Sequence, residues 1–274
     1  AVSAILPPRD KFARKRQLGH ALLVAGSSGM TGAAILAARG AIRSGAGLLT
    51  VHAPRSLEQV IHAAIPEALV DADANDSYFT GASLSSSYNA IGIGPGLGVH
   101  PASGAGMWRL LDEWRGRLVL DADALNIMAS EPGSAGRLPA GSVLTPHAGE
   151  FERLAGRSAS DFDRLNKLIN FATRHRLHVV LKGAHTAVAT PDGRCYFNTS
   201  GNPGMAKGGS GDVLTGVIAA LLASKMPVED AVLAGVYAHG VAGDMAARVH
   251  GERGMTSGDV AGMLGKAWRW CERR

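Results

Sequence analysis

Short aliphatic runs recur along the chain, and stretches with helical spacing separate most of them. Leu22-Leu23-Val24-Ala25 reads as a buried strand; the turn Gly26-Ser27-Ser28-Gly29 and a helix over Ala33–Arg43 follow it. Further strands are expected at Leu48–His52, Ala90–Ile93, Leu118–Leu120, Val143–Leu144 and Val179–Leu181. Helices over Ser103–Trp114, Glu150–Ala155 and Asp161–His175 are interleaved with them. The strand runs are apolar throughout rather than alternating, which predicts a sheet covered on both faces. Strands that alternate with helices predict an α/β fold with a mainly parallel central sheet. Thr186–Thr190 and Arg194–Phe197 flank Pro191-Asp192-Gly193 and read as a hairpin. Beyond residue 212 only helices are expected. Val213, Leu214, Val217, Ile218, Leu221 and Leu222 share one face of the first, and Val228–His250 and Ser257–Trp270 follow. The stretch 69–88, rich in Asp, Ser and Asn, reads as a loop or insertion.

Composition narrows the class. At 274 residues and 46% hydrophobic, the chain is long and apolar enough for a sizeable core, which excludes a disordered chain. No run of eighteen apolar residues exists, so no membrane-spanning helix is expected. The net charge of +5 is modest. Basic residues cluster at Arg9, Lys11, Arg14, Lys15 and Arg16, and Arg273 and Arg274 close the chain; both groups read as solvated termini. A nucleic-acid surface would interleave such charges with aromatics, and only Phe12 lies nearby. Neither a nucleic acid nor a membrane is therefore expected as a partner. Cys195 and Cys271 offer no disulfide framework and no metal-ligand spacing. Without an apolar leader, the expectation is a soluble protein of the reducing cytoplasm.

In a parallel α/β sheet, ligands gather at the carboxyl ends of the strands. The informative residues lie there. The strongest motif is Asn202-Pro203-Gly204-Met205-Ala206-Lys207-Gly208-Gly209-Ser210-Gly211-Asp212, which leads into a helix. Its glycines let the backbone approach a ligand, and the free N–H groups and dipole of the helix start favour an anion such as phosphate. Asp212 stands beside that anion site, as a helix cap or as a base that takes a proton from a substrate hydroxyl. Lys207 is open between a phosphate contact and solvent. Gly92-Ile93-Gly94-Pro95-Gly96-Leu97-Gly98 offers a second loop free of side chains, read as a binding loop or a tight turn. In Thr145-Pro146-His147-Ala148-Gly149-Glu150, His147 is placed to donate to a substrate and Glu150 to hold a hydrated Mg2+, with a helix cap as the alternative. Asp121-Ala122-Asp123-Ala124-Leu125-Asn126 puts two carboxylates and an amide at another strand end. Lys182-Gly183-Ala184-His185-Thr186 follows a further strand and would meet a phosphate or nucleotide, or be a solvated turn. The P-loop, dinucleotide, hydrolase-elbow and zincin signatures are all absent from the sequence.

Taken together, 19–34, 94–98, 120–126, 145–150, 182–186 and 202–216 resemble, in order, the ADP-dependent NAD(P)H-hydrate dehydratases of the ribokinase-like superfamily. The resemblance implies a three-layer α/β/α fold, one dehydratase domain over 1–274 with residues 1–18 as an N-terminal extension, and a cytoplasmic homo-tetramer. It implies dehydration of the S epimer of hydrated NADH or NADPH (NADHX, NADPHX), with ADP, or ATP in its place, as phosphoryl donor and Mg2+ as cofactor. AMP and phosphate would be the products, and an epimerase on a separate chain would act in the same pathway. Asp212 would be the base; Ala33, Ala34, Gly98, His147 and Asp212 would bind the hydrated cofactor. Lys182, Gly183, Ala184, His185, Thr186, Gly208, Gly209, Ser210 and Gly211 would bind the adenine nucleotide, and Glu150 would hold the metal through water. The alternative reading is a small-alcohol kinase of the same superfamily.

Overall fold

A computed structural model describes residues 2–272; the expected terminal pair Arg273 and Arg274 lies outside the described residues. Nine strands there form one sheet: β1 (His20–Val24), β2 (Leu48–Ala53), β3 (Leu69–Ala72), β4 (Ala90–Ile93), β5 (Arg117–Leu120), β6 (Val143–Leu144), β7 (His178–Leu181), β8 (Ala187–Ala189) and β9 (Cys195–Phe197). Their order is β3-β2-β1-β4-β5-β6-β7-β8-β9. Pairs from β3 through β7 are parallel, and the hairpin β8–β9 adds the antiparallel end. Leu23 lies opposite Val51 of β2 on one side and Gly92 of β4 on the other. Chain direction across the sheet reverses at β1 and β4, which opens a crevice at their carboxyl ends.

The continuous apolar runs meet helices on both faces. Leu23, Val51 and Val119 pack on one side with α1 (Thr31–Arg43), α7 (Ser210–Ala223), α8 (Val228–Gly254) and α9 (Ser257–Glu272). Leu22, Val24 and Ile91 pack on the other with α3 (Pro101–Glu113), α4 (Ala122–Ala129), α5 (Ala148–Ala155) and α6 (Asp161–His175). Each fully buried Leu or Val contributes roughly 1.5–3 kcal/mol, so the two faces together hold the three layers. The short α2 (Glu58–Ala64) follows β2. Helix α7 is buried on all sides from Val213 to Ala223, because α1 crosses it closely. A methyl at Gly216 would lie 1.8 Å from the Ala37 carbonyl oxygen, so only glycine permits that crossing.

The expected strands and hairpin are present; helix ends shift by a few residues, α2 is additional, and three further differences bear on the site. Leu69–Ala72, inside the stretch read as a loop, is the edge strand β3. Its residues are half-exposed or exposed, so it carries no aliphatic run to announce it. Helix α7 begins at Ser210 rather than Val213, because its first turn is glycine-rich and polar. Asp121–Asn126 is largely helix α4, too short to show a period. None of the described helices is long and apolar enough to cross a membrane.

Candidate functional site

The loops that follow β4, β5, β6 and β7 converge on the first turn of α7. Gly209 is the residue before that turn and holds φ +94, and α7 starts without a side-chain cap. The amides of its first turn therefore have no side-chain acceptor and present the positive end of the helix dipole. Gly208 faces open space: a methyl there would meet nothing within 4 Å. Ser210 is buried and its hydroxyl lies 3.3 Å from that of Ser257, so only its backbone faces outward. Lys207 is committed elsewhere. Its ammonium donates to the Met255 carbonyl, which ties the loop to the start of α9.

Asp212 is the third residue of α7 and is half-buried. Burial raises its carboxyl first; the Asp121 carboxylate adds to this and Asp123 contributes further, while Lys182 opposes them. The balance pushes Asp212 up to about 6. A carboxylate with that value accepts a proton near neutral pH more readily than an ordinary aspartate, which suits general-base work.

Asp121 follows β5 directly and is only 1% exposed. Both of its oxygens are satisfied. Lys182 Nζ lies 2.6 Å from Oδ1, and the Thr215 hydroxyl donates to Oδ2 at 2.8 Å. A buried carboxylate requires such a partner. The next residue, Ala122, sits in the left-handed region at φ 47. That turn sends Asp121 inward and Asp123 toward the β4 loop, where its carboxylate accepts from the Gly98 amide at 2.8 Å. Strain of about 1–3 kcal/mol at one residue is tolerated where the surroundings fix the conformation.

His147 and Glu150 form the cap of α5. The His147 ring accepts from the amides of Gly149 and Glu150, and the Glu150 carboxylate accepts from the His147 amide at 2.7 Å. The same carboxylate lies 3.8 Å from Lys182 Nζ. The cap that the sequence offered as the alternative for this motif is thus built, and it holds Glu150 beside the lysine. Among the described residues no three His, Cys, Asp or Glu side chains surround a metal position. Glu150 itself is buried, with Oε2 bonded to the His147 amide and Oε1 3.2 Å from His147 Nε2.

Lys182, at the end of β7, pairs with His147 across a parallel bridge and lies at the centre of the cluster. Gly183, Ala184 and His185 are exposed in the turn before β8, and the Thr186 hydroxyl donates back to the Gly183 carbonyl. Ala33 is half-buried against Gly96. Ala34, expected as a ligand contact with it, is fully buried under Gly26 and belongs to the core, so its methyl cannot reach a ligand. The structure brings Gly98, Asp123, Asp121, Glu150, Lys182, Gly211 and Asp212 together. A methyl at Gly211 would lie 3.2 Å from Lys182 Nζ and 3.3 Å from Asp121 Oδ2. Thr215 was not foreseen; its place four residues after Gly211, on the same helix face, is the signal that would have found it. His239 was also missed. Burial holds it down at about 4, a neutral ring packed near the Ser210 carbonyl.

Comparison with known proteins bears on these residues as a set. A family model described as NAD(P)H-hydrate dehydratase matches residues 21–265. The bifunctional NAD(P)H-hydrate repair enzyme of Moorella thermoacetica is 40% identical over 273 residues, covering 94% of this chain and 51% of that protein. The chain therefore spans about half the length of the bifunctional curated relatives it matches. The ADP-dependent (S)-NAD(P)H-hydrate dehydratase of Bacillus subtilis is 35% identical over 273 residues, covering 99% of this chain and 96% of that one. A crystal structure of the ADP/ATP-dependent NAD(P)H-hydrate dehydratase from that organism, co-crystallised with ATP and Mg2+, superposes with a TM-score of 0.87 at 34% identity, covering 99% and 96% of the two chains. A ribokinase-like superfamily protein from Enterococcus faecalis superposes at 0.84 with 24% identity, covering 100% and 94%. That likeness supports the ribokinase-like fold.

Proposed function

This chain belongs to the NAD(P)H-hydrate dehydratase family, and from that premise we propose that it removes water from the S epimer of hydrated NADH and NADPH at the expense of ADP. One observation carries the reading: Asp212, raised to about 6, stands in the first turn of the uncapped helix α7, with Lys182 close enough to oppose that rise. An anion-accepting helix start and a base lie within one turn of each other.

Hydroxide leaves carbon poorly, so direct loss of water from the ring is slow. In the proposed sequence Asp212 takes the proton of the C6 hydroxyl. The freed oxygen attacks the terminal phosphorus of ADP, the bond to the bridging oxygen breaks, and AMP departs. The new phosphate ester then leaves C6 with its electron pair as the ring nitrogen supplies a lone pair. Loss of a proton from C5 restores the dihydropyridine. The amides of Gly208, Gly209, Ser210 and Gly211 face the charge that builds on the transferred phosphoryl, where preorganised donors contribute most. Lys182 adds a fixed positive charge, and the exposed turn 183–186 receives the nucleotide. Gly98, Ala33 and His147 border the hydrated ring. Bound Mg2+ would neutralise phosphate charge, with Glu150 holding it through water. The use of ATP and Mg2+ in the Bacillus crystal supports a nucleotide–metal pair here. The proposal extends to a cytoplasmic homo-tetramer fed by an epimerase activity.

The test mixes the protein with hydrated NADH, Mg2+ and ADP. Return of the dihydropyridine absorbance with one AMP and one phosphate per NADH is expected. A stable phosphorylated alcohol with no return of absorbance would favour a kinase and overturn the reading.

A further inference from the structure

Ser257 opens α9, 49 positions after Gly208, and is only 4% exposed. Its hydroxyl donates to the Gly208 carbonyl at 2.8 Å. The Ser210 hydroxyl lies 3.3 Å from the same Ser257 oxygen, so it can donate to Ser257 while Ser257 donates to Gly208. Nothing in the proposed chemistry uses either hydroxyl.

The bond matters because of the peptide it holds. The unit joining Gly208 to Gly209 is trans. A trans peptide is planar, with its C=O and N–H pointing to opposite sides. Ser257 pins the oxygen on the α9 side, so the Gly209 N–H is held on the side away from α9. No backbone carbonyl among the described residues accepts from that N–H. Local sterics would not fix this plane, because a glycine flanks it at each end and glycine is the least restricted residue. Ser257 also lies directly behind Gly209, where a methyl would come within 3.1 Å of the serine Cβ. The loop is tied on the same side at a second point, where the Lys207 ammonium donates to the Met255 carbonyl. Helix α9 can carry these ties because its start is itself held. The Asp259 carboxylate accepts from the Thr256 amide at 2.7 Å and from the Thr256 hydroxyl at 2.8 Å.

We propose that Ser257 is a positioning residue for phosphoryl transfer, holding the Gly209 amide toward the terminal phosphoryl group through its bond to the Gly208 carbonyl. The inference rests on the dehydratase reading. Ser257 itself touches neither substrate. A donor fixed in advance stabilises charge as it builds on the transferred group, without having to turn at the moment of reaction. The same amide adds less to the binding of ADP, whose phosphates already meet the Lys182 ammonium and the other amides of the turn. Loss of the hydroxyl therefore slows transfer more than it weakens binding.

The test compares Ser257→Ala with Arg117→Ala. The Arg117 guanidinium donates to the carbonyls of Leu222, Lys225 and Met226, so its loss loosens α7 at the end remote from the glycines. Each protein, in excess, is mixed with hydrated NADH, Mg2+ and ADP, and AMP formation is followed through a single turnover well below the melting temperature. For Ser257→Ala the rate should fall about tenfold, equivalent to about 1.4 kcal/mol of barrier. Its affinity for ADP, read by calorimetry, and its KM for hydrated NADH should stay within about threefold. Arg117→Ala should melt below the wild type and keep its rate and ADP affinity within about twofold. The proposal is overturned if Ser257→Ala keeps the wild-type rate, if its rate falls only in step with its ADP affinity, or if Arg117→Ala slows as much as Ser257→Ala. A wild type that turns over no hydrated NADH overturns the dehydratase reading, and this inference with it.

Discussion

The Lys182 ammonium and the buried Asp121 carboxylate meet at 2.6 Å under the first turn of α7. This pair joins the ends of β5 and β7 to the helix that carries Asp212, and it makes the lysine a fixed charge rather than a solvated one. Lys182 is 22% exposed and its partner 1%, so removing the lysine strands a buried charge. Lys182→Met should cost about 3–5 kcal/mol of stability in a urea titration. Adding Asp121→Asn should recover part of that, with a coupling of roughly 0.5–3 kcal/mol. Additive losses would mean that the pair is not coupled.

Asp212→Asn keeps the shape of the side chain and removes its basicity. Turnover should fall about a hundredfold or more, the scale of general-base catalysis. ADP affinity, read by calorimetry, should stay near that of the wild type. Near-normal turnover in the variant would take the base role from Asp212.

Only the ionised form of Asp212 can accept a proton, and its pKa is raised to about 6. The rate should climb with pH through that value and level off above about 7. At pH 5 about a tenth of the groups are ionised, so the rate should be about a tenth of the plateau. Stability should run the other way. The folded protein binds this proton more tightly than the unfolded chain does, so Asp212 lowers stability as pH rises from about 4 to about 6, after which its effect is constant. Asp212→Asn should therefore gain in melting temperature over the wild type at pH 7 and not at pH 3.5. A rate profile flat from pH 5 to 8 would contradict the assignment.

Gly208 and Gly209 adjoin each other and should respond differently. Gly209 holds φ +94, and a methyl there would lie 2.4 Å from Leu36 Cδ1. Gly209→Ala should destabilise the fold by about 1–3 kcal/mol. Gly208 has open space around it, so Gly208→Ala should leave the melting temperature within about 2 °C. Its methyl takes the room of the phosphate, and the KM for ADP should rise about tenfold, a loss of about 1.4 kcal/mol. Thermal melts and ADP titrations on the two variants separate these effects.

How much of this was legible in the chain depends on what each residue does. The strands showed themselves because both faces of the sheet are covered, which leaves unbroken runs such as Leu22-Leu23-Val24. Strand β3 did not, because an edge strand half in solvent has no such run. The Asn202–Asp212 motif was legible because glycine is required where backbone must approach a ligand or turn with positive φ, as at Gly209. Asp121 and Thr215 were harder. Their bond spans 94 positions of sequence, so the helical spacing from Gly211 could point to Thr215 but not to its partner. The sequence left Lys207 open between phosphate and solvent; it bonds the Met255 carbonyl instead, a contact that only the packing of α9 creates.

In the proposed sequence a phosphoryl group passes to the ring hydroxyl before that oxygen leaves carbon. Hydrated NADH carrying heavy oxygen at the C6 hydroxyl tests it most directly, with ADP, Mg2+ and the protein, and mass analysis of the products. The label is expected in the released phosphate, one heavy oxygen per NADH restored. Label in water, with unlabelled phosphate, would contradict it.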